Sequence, residues 1–211
     1  MEVLSTLNTN EQTEIIKVSY PIPFYSQRVH FNEVNLQGFN SKQEAEHWQV
    51  RGCGIASIKM VIDGFQIYRG LILSDTYGEL VYKGLERGAY CDRGWIHKGL
   101  VELAKEYKIS GQTFRQRNIN DVLAEIEKDR PCITSVTVGL NGGKMNSRGE
   151  IIQAGGHLIV VKGAVKENGV LQGFIVNHPS SSFELNWDNR FVNIEDFKRS
   201  FSGAFMSFWI K

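Results

Sequence analysis

The strongest constraint on the fold is a pair of apolar runs in the second half of the chain. HLIVVKGAV (157–165) and VLQGFIVN (170–177) are rich in β-branched residues, and KENG between them is typical of a hairpin turn. CITSVTV (132–138) and GAFMSFWI (203–210) have the same strand-like texture. Strands joined by short turns run antiparallel, so the sequence predicts an antiparallel sheet in this half.

The first half of the chain has a helical period instead. A broad apolar stripe in GIASIKMVIDGF predicts a helix that begins near Cys53, and Gly64 predicts its end. Four other segments are expected to be helical: DTYGELVYKGLE (75–86), GWIHKGLVELAKEYK (94–108), DVLAEIEKD (121–129) and NIEDFKRSF (193–201). This order of elements predicts an α+β fold, with a helical part packed on the antiparallel sheet.

The length and composition indicate one globular domain. The chain has 211 residues, of which 42% are hydrophobic and 22% charged, a balance that supports a sizeable core. We expect residues 18–211 to form a single domain, preceded by a polar and loose leader at residues 1–17.

Charge and hydropathy argue against two classes of partner. The 24 basic and 23 acidic residues give a net charge of +1, which is no electrostatic footprint for nucleic acid or an anionic membrane. No stretch approaches the length of a membrane span. The first 18 residues lack the basic start and apolar run of a signal peptide, so the cytoplasm is the expected compartment, and secretion would require a leader absent from this sequence. The sequence does not fix the oligomeric state.

The cysteines do not form a disulfide or zinc pattern. Cys53, Cys91 and Cys132 are too few and odd in number for a disulfide framework. Cys91 lies near His97 in sequence, and Cys53 near His47, but C-x-x-C and H-x-x-x-H spacings do not occur. Structural zinc sites usually contain such local pairs, so we expect neither a metal nor a cofactor.

Cys53 is the first residue with a pattern that indicates chemistry. It lies in RGCGIASIKM, at the first turn of a predicted helix, where the positive end of the macrodipole favours the thiolate. Gly52 and Gly54 on either side allow a tight turn and the approach of a substrate to the sulfur. Taken alone, the position is more typical of a buried structural cysteine.

A histidine and a polar pair occur where two predicted strands meet. His157 follows two glycines and opens a strand, and GFIVNHP ends the next strand of the hairpin. Asn177 or His178 in that motif is expected to hydrogen-bond His157 and fix its tautomer. Because strand residues alternate between faces, only one of the two should face His157, and the register favours His178.

Gln27, in PFYSQ, is the fourth candidate residue. An amide upstream of the nucleophile can donate to a developing oxyanion, together with the backbone N–H of Cys53. Cysteine, histidine and a polar third residue make up the general requirement for acyl transfer through a thiol.

These segments occur in the order of a known family. PFYSQ, GCGIAS, GGHLIVVKGA and GFIVNHP together resemble the cysteine peptidases that process double-glycine bacteriocin leaders. The likeness is closer to the stand-alone, transporter-free relatives of those peptidases, which share the papain fold, and it runs from about Pro21 to the C-terminus. The resemblance implies that Cys53 is the nucleophile, His157 the base and Gln27 the oxyanion-hole glutamine.

The sequence departs from the family at two positions. The family usually has Asp before the proline of the last motif, whereas His178 stands there, before Pro179. A histidine can orient His157 but does not stabilise an imidazolium as a carboxylate does. Asn177 would instead give a Cys-His-Asn set. Ile55 stands where the family often has proline, and a helix tolerates that change.

The expected activity is a cysteine peptidase that hydrolyses peptide or isopeptide bonds of a peptide or protein substrate. A papain-fold acyltransferase and a catalytically weakened peptide-binding domain are the alternatives. The glycine-rich loop 139–150 is expected to be either a lid of the substrate cleft or a plain connection. Trp48, Trp95 and Trp187 are candidates for lining subsites or for the core.

Overall fold

The computed structural model describes residues 12–29, 37–71, 73, 75–140, 142, 144–145, 147–148 and 151–211. The helices in this part of the chain are α1 (Lys42–Gln49), α2 (Cys53–Tyr68), α3 (Tyr77–Glu86), α4 (His97–Lys105), α5 (Ile119–Glu127) and α6 (Ile194–Ser200). The strands are β1 (Thr13–Lys17), β2 (Tyr90–Cys91), β3 (Gly94–Trp95), β4 (Ser110–Phe114), β5 (Cys132–Val136), β6 (Lys144–Met145), β7 (Ile151–Gln153), β8 (His157–Glu167), β9 (Val170–His178), β10 (Trp187–Asn193) and β11 (Phe201–Trp209).

A seven-stranded antiparallel sheet organises the molecule. Its strand order is β10-β9-β8-β5-β11-β4, and β1 also pairs with β8. The β5 register runs from His157 to Val161 of β8, and β1 takes over from Gly163 to Glu167. The α2 helix packs against β8, and the buried side chains of helices and strands form one core cluster. The predicted α+β fold, helices on an antiparallel sheet, is therefore confirmed.

The predicted end of α2 at Gly64 is wrong, since the helix continues to Tyr68. A Cβ atom at Gly64 would lie 2.5 Å from Cδ1 of Ile22 and 3.2 Å from its Cα. The glycine therefore allows the extended segment around Ile22 to pack closely against the helix. Close packing, and not helix termination, explains why glycine occupies this position.

The expectation of a loose leader at residues 1–17 is wrong for its last five residues. Thr13–Lys17 form β1, which pairs with Gly163–Glu167 of β8, and Ile16 packs against the core. Residues 1–11 lie outside the described part of the chain. Two polar strands, β4 and β10, were also not predicted, because their side chains are mostly exposed or half-buried and lack an apolar alternation.

Gly64→Ala should destabilise the protein by about 1–3 kcal/mol, because the added methyl group overlaps the Ile22 side chain. Helix propensity alone predicts the opposite, a gain of about 1 kcal/mol. Denaturant unfolding of the wild type and the variant distinguishes the two effects. Ile22→Val removes Cδ1 and should recover part of the loss in the double variant. A variant that is more stable than the wild type would contradict the close-packing explanation.

Candidate active site

The N-terminus of α2 carries the Cys53 thiol in a tightly packed environment. Gly52 is the N-cap, and Cys53 is the first helical residue and only partly buried. A Cβ atom at Gly52 would lie 1.5 Å from the Tyr77 hydroxyl, and one at Gly54 would lie 2.5 Å from Cγ of Trp95. The two glycines thus make room for side chains from α3 and β3, a reason that their sequence context did not indicate.

One cleft of about 470 Å³ contains three of the predicted residues. Cys53, His157 and Gln27 all line it. The β2–β3 hairpin forms part of the wall, through Asp92 and Arg93 at its tip among others. Residues that are 130 positions apart in sequence, Gln27 and His157, are therefore brought to the same space as the thiol.

His157 begins β8, opposite Val136 of β5, and its side chain is 6% exposed. Its ring hydrogen-bonds the backbone carbonyl oxygen of Pro179, whereas Nε2 is buried without a partner. Burial, followed by the charge interaction with His178, lowers the pKa of His157 to about 3. The imidazole is neutral at physiological pH.

The His178 ring packs against the His157 ring in a tilted arrangement. The ring centroids are 4.6 Å apart and the ring planes 31° from parallel. Nε2 of His178 lies 2.6 Å from the carbonyl oxygen of Val138, and Nδ1 is buried without a partner. The hydrogen bond of each ring goes to a main-chain carbonyl and not to the other ring. Trp187 lies on His178 in turn, with centroids 4.7 Å apart.

Asn177 points to a different part of the structure. Its Nδ2 donates to the carbonyl oxygen of Pro23 at 3.1 Å, and its Oδ1 accepts from the backbone N–H of Asn189 at 3.1 Å. Asn177 therefore holds the extended N-terminal segment and β10 against β9. Of the two candidates for the third position, His178 is the one that contacts His157.

Gln27 is 4% exposed, and its amide is anchored on one side. Nε2 donates to the carbonyl oxygen of Gln49 at 2.8 Å, and Oε1 has no partner. An amide nitrogen carries two hydrogens, so one N–H remains for a second acceptor. The Gln27 side chain is therefore fixed beside the cleft, and one of its N–H groups and its Oε1 have no hydrogen-bond partner among the described residues.

The thiol of Cys53 is protonated at neutral pH. Burial raises its pKa, and the backbone N–H groups of Leu158, Gly54 and Cys53 itself lower it by less. The macrodipole of α2 was expected to favour the thiolate, but desolvation has the larger effect. The free cleft thus contains a neutral thiol and a neutral imidazole.

The three tryptophans differ in their surroundings. Trp95 lines the cleft, and its Nε1 donates to the carbonyl oxygen of Arg51 at 2.8 Å. Trp48 is buried against Trp95 and Tyr90 in the core, and Trp187 lies on His178. The loop 139–150, expected to be either a lid or a plain connection, lies partly outside the described residues.

Two contributions to the site come from the main chain. The carbonyl oxygens of Pro179 and Val138 accept the hydrogen bonds of the two histidine rings. Backbone carbonyls occur at every residue, so no sequence signal marks them.

The sequence also did not indicate a role for Tyr77. Its buried hydroxyl lies beside the N-terminus of α2 and has no hydrogen-bond partner in the described part of the chain. The helix pattern around Tyr77 indicates only an aromatic residue of the core.

Neither a metal-binding cluster nor a membrane-spanning helix occurs among the described residues. Among the described residues, no three His, Cys, Asp or Glu side chains are grouped so that they could hold a metal ion. No helix in the described ranges is both long and apolar enough to cross a membrane.

The chain is similar to several known peptidases. Residues 20–204 match the model of the Peptidase_C39 like family. A provisionally assigned C39-like peptidase from Bacillus anthracis has 15% identity and a TM-score of 0.57, over 94% of this chain and 98% of that one. A double-glycine-motif protease from an AMS/PCAT transporter, solved in complex with the leader peptide, has 18% identity and a TM-score of 0.46, over 75% and 84% of the two chains.

A third solved structure is the peptidase domain of Streptococcus ComA, a bifunctional ABC transporter, with 18% identity, a TM-score of 0.46, and coverage of 76% of this chain and 93% of that one. No curated protein matches the sequence. The family match spans most of the chain, and the likeness to the Bacillus anthracis protein supports the papain-like fold. The resemblance found in the sequence motifs is confirmed: the chain belongs to the Peptidase_C39 like family.

Proposed function

We propose that the protein is a cysteine peptidase that hydrolyses peptide or isopeptide bonds, with Cys53 as nucleophile and His157 as general base. The family and the fold support a peptidase. One observation carries the finer assignment. His157, the Cys53 thiol and the amide side chain of Gln27 line one and the same cleft. A neutral imidazole in this position is suited to take a proton from a thiol.

The proposed reaction begins with proton transfer from Cys53 to the imidazole of His157 as the sulfur attacks the substrate carbonyl carbon. The second N–H of Gln27 and the backbone N–H of Cys53 stabilise the oxyanion. His157 then gives the proton to the departing amine, the C–N bond breaks, and a thioester remains. His157 next takes a proton from water, which attacks the thioester, and the released thiolate regains that proton.

The proposed substrate is a peptide or protein chain. The double-glycine-motif protease that this chain resembles was solved with a leader peptide, which makes an extended peptide a reasonable first probe. The cleft includes polar and charged side chains, among them Asp92 and Arg93, that are suited to contact a peptide on either side of the scissile bond.

A peptide-binding domain with a weakened site is the second candidate. The observation that favours it is the absence of a carboxylate from the partners of His157 and His178, both of which are described residues. Without a carboxylate, an imidazolium that forms during turnover is less stabilised. Peptide binding without Cys53-dependent cleavage would favour this candidate.

Acyl transfer by the same residues is a separate alternative. Consumption of an added amine during turnover would indicate it.

His157→Ala should slow the labelling of Cys53 by iodoacetamide by about a hundredfold, because the neutral thiol then lacks the general base that takes its proton as the sulfur attacks. Peptide mapping by mass spectrometry measures the labelling rate at each cysteine. Cys132 is the internal control, since it is fully buried and its pKa is raised. Cys91, which is partly exposed, serves as the ordinary thiol. Faster labelling of Cys91 or Cys132, with no effect of His157→Ala, would rule out the proposed dyad.

The resting site should contain no thiolate at neutral pH. Burial raises the pKa of Cys53 and lowers that of His157 to about 3. The charged forms of both residues are therefore disfavoured, and so is a thiolate–imidazolium pair. The difference in ultraviolet thiolate absorbance between wild type and Cys53→Ala should therefore be absent near neutral pH. It should appear only above the ordinary thiol pKa of about 8.5. A thiolate signal at mildly acidic pH would contradict this expectation.

A further inference from the structure

We propose that His178 is a positioning residue that orients His157 by packing its ring against the His157 ring, with Trp187 as support, and not by hydrogen bonding to it. This inference rests on the proposed function, because it concerns how the general base of that reaction is held. The sequence led us to expect a third residue of the active site that accepts a hydrogen bond from His157. In this proposal the His178 ring instead restricts the orientation of His157 by contact.

The ring geometry is the first argument. The His157–His178 centroid distance of 4.6 Å falls within the range of about 4.5–7 Å typical of aromatic pairs, and the two ring planes are tilted by 31°. The nitrogen of His178 that has a partner bonds Val138, and the carbonyl oxygen of Pro179 is the acceptor for His157. No hydrogen bond joins these two described residues, and their contact is one of ring against ring.

The rigidity of His178 is the second argument. Its side chain is fully buried, and the 2.6 Å contact of Nε2 with the Val138 carbonyl oxygen fixes its rotation. Trp187 contacts the His178 ring at 4.7 Å and is fixed itself, because its Nε1 donates to the carbonyl oxygen of Glu184 at 2.8 Å. The Arg190 guanidinium lies over the Trp187 ring at 4.7 Å. Arg190, Trp187 and His178 thus form a series of packed planar groups that ends at the His157 ring.

The charges around the two rings are the third argument. His157 lines the same cleft as Cys53 of α2 and contacts His178 of β9, and the charged side chains that line this cleft are Arg51, Asp92 and Arg93. Around His178 the partners are carbonyl oxygens, including that of Val138, and burial lowers its pKa. His97, also in the cleft, has its pKa lowered by burial and by Arg115. No carboxylate is among the described partners of His157 or His178, so the Pro179 carbonyl and the contact with the His178 ring are left to hold His157.

Two substitutions separate shape from hydrogen bonding. His178→Phe keeps a planar ring and removes the donor to Val138. His178→Gln places an amide nitrogen near the position of Nε2, and so retains a donor to Val138 without a ring. His178→Ala removes both. Each variant is first tested for a cooperative thermal transition, because Phe leaves the Val138 carbonyl without its donor and Ala leaves a cavity.

The readout is the rate of Cys53 alkylation by iodoacetamide, compared with His157→Ala. We expect His178→Phe to stay within about threefold of the wild type, because the ring contact remains. His178→Gln and His178→Ala should be slower by about tenfold or more, since a displaced base is costly. Trp187→Ala should slow the reaction in the same direction, and an unchanged rate would remove Trp187 from the proposal.

The opposite pattern would overturn the inference. If folded His178→Gln alkylates like the wild type while folded His178→Phe is as slow as His157→Ala, hydrogen bonding and not ring packing orients the base. Equal rates in all folded His178 variants would show that this residue does not position His157. Failure of the proposed function itself is distinguishable, because His157→Ala and the wild type would then label Cys53 at the same rate.

Discussion

The buried hydrogen bond from the Ser57 hydroxyl to the Leu158 carbonyl oxygen, 3.1 Å long, is the contact on which the arrangement of the site depends. Ser57 lies about one helical turn after Cys53, and Leu158 directly follows His157. The bond therefore ties the first turns of α2 to the first residues of β8. Since β8 pairs with β9 on one side and with β5 and β1 on the other, this bond fixes the position of the start of α2 relative to the centre of the sheet. A buried hydroxyl that lost this acceptor would cost about 1–3 kcal/mol.

Burial of the same elements determines the electrostatics of the cleft. Desolvation opposes both an anionic sulfur and a cationic ring, and it is the largest influence on Cys53 and on His157. The N-terminus of α2 contributes N–H donors to the sulfur, but they act against the larger desolvation effect. In the proposed mechanism, charge therefore appears only as the reaction proceeds. The preorganised donors near Cys53 and Gln27 are then most useful to the oxyanion, whose charge they meet without reorganisation.

The sequence predicts those structural elements that have a clear pattern of apolar residues, and it fails for elements that lack one. The β8–β9 hairpin, the helix at Cys53 and the α+β class follow from runs of apolar residues and a turn, so they could be predicted. The edge strand β10 and the strand β1 could not, because they are held by pairing with neighbours and expose most of their side chains. Within the site, side-chain types identified Cys53 and His157 as candidates. The acceptors from Pro179 and Val138 are main-chain atoms, which the sequence does not distinguish.

The residue at position 178 shows why a family match and a motif do not define a mechanism by themselves. A carboxylate there would accept a hydrogen bond from His157 and favour its protonated form, so orientation and charge stabilisation would be coupled in one group. In this protein the His157 ring hydrogen-bonds the Pro179 carbonyl and contacts the His178 ring, and no carboxylate is among these partners. If the dyad is active, stabilisation of the transition state must then come mainly from the oxyanion donors and from contacts with the bound peptide, which exclude water from the cleft as the charges form.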